Sequence, residues 1–148
     1  MLQTSTVEPR TLELLELLMQ TPIFNQFTLV GGTALALQIG HRQSIDLDLF
    51  TTEPFDKNQI IEYLSNNFDF SIVNEGEQML ITTVSGIKVD FVKMAYPILF
   101  PKIVFDGIRL LDIKDIAPMK LKAIVQRGSK KDFYDIHYLL DYLSLKEM

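Results

Sequence analysis

The chain contains no cysteine, which excludes disulfides and thiolate metal sites and fits a reducing compartment. It has no excess of positive charge. A formal net charge of −5 argues against a surface dominated by a nucleic-acid footprint, although it leaves room for a local basic patch. No apolar stretch approaches the roughly 20 residues that a membrane-spanning helix needs. No basic region followed by an apolar run marks the N-terminus as a signal peptide. Internal repeats, low-complexity tracts and linkers are missing too. The expectation is a cytoplasmic protein with no membrane partner. What remains is 148 residues, 47% hydrophobic and 22% charged, enough for one domain over 1–148 with a real core.

Local patterns predict the elements. Leu12, Leu15, Leu18 and Met19 recur at helical spacing over 8–20, before Pro22. Residues 27–30 form a short apolar strand, 33–39 a short helix, and 45–50 a second strand. Asp56 caps a further helix that buries Ile60, Ile61 and Leu64. Three strands follow over 68–73, 78–84 and 87–92, with turn residues at Asn74-Glu75-Gly76 and Ser85-Gly86. Residues 96–107 read as a loop and 109–111 as a last short strand. Pro118 is expected to leave a short first turn ahead of a main helix over 117–127, and 131–143 is the final helix. The order α-β-α-β-α-β-β-β-α-α belongs to an α+β, mixed-sheet domain, with 113–148 a helical part packed on it.

The chemistry concentrates in "VGGTALALQIGHRQSIDLDLF". Alternate side chains of a strand share a face, so Asp46 and Asp48 point one way and Leu47 and Leu49 the other. Two adjacent carboxylates repel and raise each other's pKa. A divalent cation relieves them, and oxygen-only ligands select a hard ion such as Mg²⁺ or Mn²⁺. A bare Asp-x-Asp is more often an edge strand with one solvated face. Asp90 in "IKVDFVK" changes the balance, because it too interrupts an apolar run at alternate positions. If its strand neighbours the first, three carboxylates converge as in phosphoryl-type transfer. Gly31-Gly32-Thr33 follows a strand and opens a helix. Glycine lets the backbone approach a phosphate, free N–H groups at a helix start attract anions, and the Thr33 hydroxyl adds a hydrogen bond.

Four blocks now stand in order: "GGTALAL", "GHRQSIDLDLF", "IKVDFV" and "MKLKAIVQRGSKKDFYDIHYLL". Together they resemble the AbiEii/AbiGii toxin family of nucleotidyltransferases, in the DNA polymerase β-like superfamily. The resemblance covers 27–143, with a divergent middle over 51–85. It implies a mixed sheet flanked by helices, bound Mg²⁺ and a nucleoside triphosphate. It places Gly32 and Thr33 at the triphosphate, Asp46 and Asp48 as metal ligands, and Asp90 as the third acidic residue. It puts Lys120 or Lys122 near the phosphates and matches Arg127, Lys131, Asp132 and Asp135 to a basic-acidic signature. Asp132 is then a candidate for assisting the acceptor nucleophile. Family members usually carry a longer C-terminal helical region than this sequence has.

Helical geometry refines the last block. Lys120 and Arg127 are seven apart on one stripe and Lys122 points elsewhere, which favours Lys120 as the phosphate contact. Leu121, Ile124 and Val125 are expected on the core side of that helix, and Phe133, Ile136, His137 and Leu140 on the core side of the next. His137 reads as a packed histidine. Asp132 and Asp135 are neighbours on another face, where Arg127 and Lys131 can pair with them. His41 and Arg42 occupy the turn before Asp46, as a solvated loop or near the metal face.

The expected function is Mg-dependent transfer of a nucleoside monophosphate from an NTP to an RNA end or a protein hydroxyl. The setting is toxin–antitoxin, with a possible cognate antitoxin. The alternative is an inactive module of the same fold that binds nucleotide or a protein partner.

Overall fold

The mid-chain alternation of apolar and polar residues builds one sheet. The computed structural model describes residues 2–95, 98–126 and 128–143. Among the described residues the strands are β1 (Thr28–Val30), β2 (Leu47–Thr51), β3 (Phe70–Gly76), β4 (Met79–Val84), β5 (Ile87–Lys93), β6 (Ile103–Phe105) and β7 (Ile108–Leu110). The helices are α1 (Pro9–Gln20), α2 (Gly31–Ile39), α3 (Lys57–Asn67), α4 (Ile113–Gln126) and α5 (Lys130–Leu139). Across the sheet the order is β3-β4-β5-β2-β1-β7-β6. Strand β2 runs parallel to β5 and β1 parallel to β7, while the other neighbours are antiparallel. This is the α+β class with a mixed sheet that the element order predicts.

Alternation along β2 and β5 decides which face holds the core. Leu47, Leu49, Val89 and Phe91 are buried. The Phe91 ring stacks on Phe24 at 5.4 Å and meets Phe27 edge-on at 5.4 Å. Leu15 and Leu18 of α1 and Ile60 and Leu64 of α3 belong to the same cluster. Each such side chain contributes about 1.5–3 kcal/mol by leaving water. Asp56 caps α3 as expected, its Oδ1 accepting from the N–H groups of Asn58 and Gln59. The intervening residues, Asp48 and Asp90, fall on the opposite side of the strands.

Several expectations are corrected. The stretch read as a loop contains β6, which pairs with β7 through Asp106-Gly107. Both turn residues have positive φ, at 50° and 80°. Asp-Gly between apolar residues is a hairpin signal that the two nearby prolines obscure. Asn74, Glu75 and Gly76 continue β3 instead of turning. Pro118 lies inside an unbroken α4. It forfeits one hydrogen bond, to the carbonyl of Lys114, which is exposed, so water can serve that oxygen.

The largest departure concerns which faces of α4 and α5 are buried. Helix α4 buries Asp115, Ile116, Ala117 and Lys120, while Val125 is 86% exposed. Helix α5 buries Asp132, Asp135 and Leu139, while Phe133 is 56% exposed and His137 also faces solvent. The apolar stripe expected inside is largely outside, and a charged stripe is inside. A network of buried ion pairs, described next, is the physical reason.

Candidate active site

Strand β1 ends at Val30, directly opposite Asp48, and on the other side of β2 Asp48 lies opposite Asp90. The register therefore brings the glycine bend and two carboxylates together. Gly31 has φ +74°, and a β-carbon there would strike the Asp48 carboxylate. Gly31→Ala should cost about 2 kcal/mol through backbone strain and displacement of Asp48. Urea unfolding measures this, and an unchanged midpoint would show that the close approach is relaxed at no cost. Gly32 is needed for a second reason, because the Arg42 guanidinium fills the space over it. No side chain caps the start of α2. Its leading N–H groups therefore make an end that favours anions.

Thr33 does something other than expected. Its hydroxyl is buried and bonded to the Asp46 carbonyl and to Ser44 Oγ at 2.6 Å. The hydroxyl thus ties α2 to the segment entering β2, which fixes the bend against the aspartates.

Of the three carboxylates, Asp48 carries the electrostatic burden. Burial pushes Asp48 up to about 6, with the Asp90 charge the next cause and Asp46 a weaker one. Asp90 Oδ1 is buried with no hydrogen-bond partner among the described residues, while Oδ2 accepts from Lys88 Nζ at 3.0 Å. Burial works against the Lys88 charge, but Asp90 outweighs it and the lysine is held protonated above its ordinary range. Asp46 precedes β2 and is partly buried. Among the described residues no three Asp, Glu or His side chains close into a ready metal site. Asp48 and Asp90 are paired across β2 and β5, and the Asp46 charge also bears on Asp48 and on Lys88 from just before β2. The pair itself fits a hard divalent cation, which would relieve an orphaned oxygen and a carboxylate driven toward its neutral form.

Lys120 approaches the same place from α4. It is 6% exposed, and its Nζ lies 3.2 Å from Asp132 Oδ1 and 2.7 Å from Asp135 Oδ2. Asp135 is fully buried and also accepts from His41 Nε2 at 2.5 Å, Arg42 Nε at 2.7 Å and Arg42 Nη2 at 3.0 Å. Burial acts to raise the Asp135 pKa, but the bonds from His41, Arg42 and Lys120 prevail and hold it well below the usual carboxylate range. Asp132 is fully buried and accepts from Ser129 Oγ at 2.7 Å. It is not among the residues that line the cleft, which it meets through Lys120. His41 and Arg42 are neither solvated loop nor metal ligands; they are the partners of Asp135. Lys131 is exposed on the outer side of α5, and Arg127 lies outside the described residues.

Between the sheet and α4 is a cleft of about 320 Å³. Gly31, Asp48, Asp90 and Lys120 make part of its wall. Lys122 lines it as well, although two helix positions from Lys120, because a long exposed side chain bends over the rim. The sequence marks His41, Arg42 and Asp135 separately, but not that they pair with one another and with Lys120.

A model of the family described as nucleotidyl transferase AbiEii toxin, of a type IV toxin–antitoxin system, matches residues 13–148. An uncharacterized protein of Aquifex aeolicus (strain VF5), aq_aa25, is 42% identical over 132 residues, covering 86% of this chain and 64% of that protein. The chain thus spans a little under two thirds of this relative's length. Among solved structures, a proposed nucleotidyltransferase from H. pylori superposes with a TM-score of 0.65 at 22% identity, over 95% of this chain and 72% of that one. JHP933 from Helicobacter pylori gives 0.62 at 20% identity, over 96% and 70% of the two chains. The Megavirus polyadenylate synthase gives 0.62 at 15% identity, over 87% of this chain and 31% of that one. These structural likenesses show a shared fold.

Proposed function

The chain belongs to the AbiEii nucleotidyl transferase toxin family, and we propose that it moves a nucleoside monophosphate from an NTP to a hydroxyl on an RNA end or a protein. On that proposal 1–148 is one nucleotidyltransferase domain, and α4 supplies one wall of its cleft. A cytoplasmic setting with a cognate antitoxin belongs to the same proposal. The observation that carries it is the adjacency of Asp48 and Asp90 to the uncapped start of α2, in one cleft with Lys120.

Asp48 and Asp90, with Asp46 at their edge, would hold Mg²⁺ or Mn²⁺. When bound, that ion supplies neutralisation of phosphate charge and a lowered pKa for the acceptor hydroxyl. The chain's own groups do the positioning. The N–H groups at Gly31 and Gly32 face the phosphates, and Arg42 beside Gly32 adds a fixed positive charge to that end. Lys120 reaches the phosphates from α4, held by Asp132 and Asp135 as positioning residues. The acceptor oxygen bonds to the α-phosphorus as the bond to pyrophosphate breaks, its hydroxyl proton passes to solvent, and the catalytic contribution is alignment plus preorganised charge.

One observation favours the second reading, an inactive module of this fold: the ammonium of Lys88 already neutralises Asp90. Incubation with α-labelled NTPs, Mg²⁺, RNA and protein separates the two. Label transfer abolished by EDTA is the expected result. No transfer from any NTP, with a melting temperature unmoved by Mg²⁺–NTP, would leave the inactive module.

A further inference from the structure

We infer that the apolar part of this cleft is the slot for the nucleobase and that Gln126 is the side chain that reads the base; this rests on the reading of the site as an NTP-binding cleft. The cleft has two chemically different regions. One carries Asp48, Asp90 and Lys120. The other is lined by Val92 and Met94 from the sheet side and by Ile116, Met119 and Ala123 from α4.

Two rails connect these regions. Asp90, Val92 and Met94 are alternate residues of one extended run, so they share a face and advance about 6.6 Å per step. On α4, Ile116, Met119, Ala123 and Gln126 follow at spacings of three and four residues, which is a single helical stripe. A ligand with its phosphates at the Asp48–Asp90 pair is led along both rails into apolar walls. Triphosphate chemistry does not need such walls, whereas a flat aromatic base does. Met94 and Met119 suit it, because the thioether is polarizable, packs on aromatic faces and adapts to either base size.

Gln126 and Lys122 are the polar side chains accompanying that apolar region. A lysine only donates, from a mobile exposed tip. An amide both donates and accepts, which is what the edge of a base presents. Gln126 closes the α4 stripe and is exposed in the ligand-free protein, so it is available to bond a ligand. One amide supplies one or two hydrogen bonds, so discrimination among bases is of the order of tenfold.

Calorimetric titration of wild type, Gln126→Leu and Met119→Ala with Mg²⁺ and each of the four NTPs tests this, with inorganic tripolyphosphate as the base-free probe. We expect wild type to bind at least one NTP about tenfold more tightly than another, and all of them more tightly than tripolyphosphate. Gln126→Leu should compress the ranking among NTPs to within about twofold, and Met119→Ala should weaken every NTP, both leaving tripolyphosphate affinity unchanged. Equal affinity for NTPs and tripolyphosphate would remove the base slot while leaving the phosphate site intact. A ranking untouched by Gln126→Leu would overturn the role of Gln126. Failure of both NTPs and tripolyphosphate to bind would take down the underlying reading and this inference with it.

Discussion

Asp48→Asn should abolish nucleotide transfer while making the metal-free protein more stable at neutral pH. The loss of transfer follows from removing a carboxylate of the Asp48–Asp90 pair, and a fall of about a thousandfold or more is expected from losing a preorganised charge at the reacting phosphate. The gain in stability follows from the same residue's environment. Its folded-state pKa is about 6 against an ordinary value of 3.8, chiefly through burial and then through Asp90. A carboxyl group with a raised pKa favours the folded state below its unfolded pKa and loses that contribution as pH rises through the folded value. At pH 7 the ionised group therefore burdens the fold, by about 2 kcal/mol once partial exposure is allowed for. Among the described residues no donor bonds this carboxylate, so asparagine forfeits no hydrogen bond. In EDTA, thermal melts at pH 7.5 should show the variant about 5 °C above wild type, with the gap closing by pH 4. A variant less stable than wild type at pH 7.5, or a gap independent of pH, would show that the carboxylate pair is not under strain.

Asp135→Ala is the most damaging single change we expect for stability. It leaves Lys120, Arg42 and His41 without the carboxylate that all three bond. Removing one partner of a buried ion pair costs about 3–5 kcal/mol, because the remaining charge stays buried and uncompensated. The pH dependence runs opposite to that of Asp48. The Asp135 pKa is depressed, so its contribution is present above the ordinary carboxylate range and is lost as pH falls through the folded value. Urea unfolding should show the full deficit from pH 7 to pH 5 and a smaller one in strong acid. A deficit under about 1 kcal/mol would mean that the cluster is a solvated surface network.

These two aspartates also show what the sequence could and could not disclose. Asp48 and Asp90 were legible because each interrupts an apolar alternation, and strand periodicity is a local property. Their pairing was a conjecture, since register between β2 and β5 is set by tertiary packing. Asp135 was visible as a charged residue on a helix, yet its burial was not. Periodicity assigns the apolar stripe of Phe133, Ile136, His137 and Leu140 to the core. The structure turns α5 the other way, because Lys120 lies 15 residues earlier and the His41–Arg42 pair more than 90 earlier in the chain. No single-helix pattern carries a contact over that separation. Thr33 is similar: its hydroxyl suggested a phosphate, and only the approach of Ser44 and the Asp46 carbonyl shows it engaged elsewhere. The β6–β7 hairpin was missed for a different reason, since its Asp106-Gly107 turn signal was local and was overridden by Pro97 and Pro101.

The proposed transfer depends on a cation seated between Asp48 and Asp90 beside the start of α2. Anomalous diffraction from crystals grown with Mn²⁺ and a non-hydrolysable NTP tests that directly. The predicted result is a manganese peak bonded to both carboxylates, with Lys88 displaced from Asp90 and phosphate oxygens against the Gly31 and Gly32 amides. A peak elsewhere, or none with Lys88 still on Asp90, would contradict it.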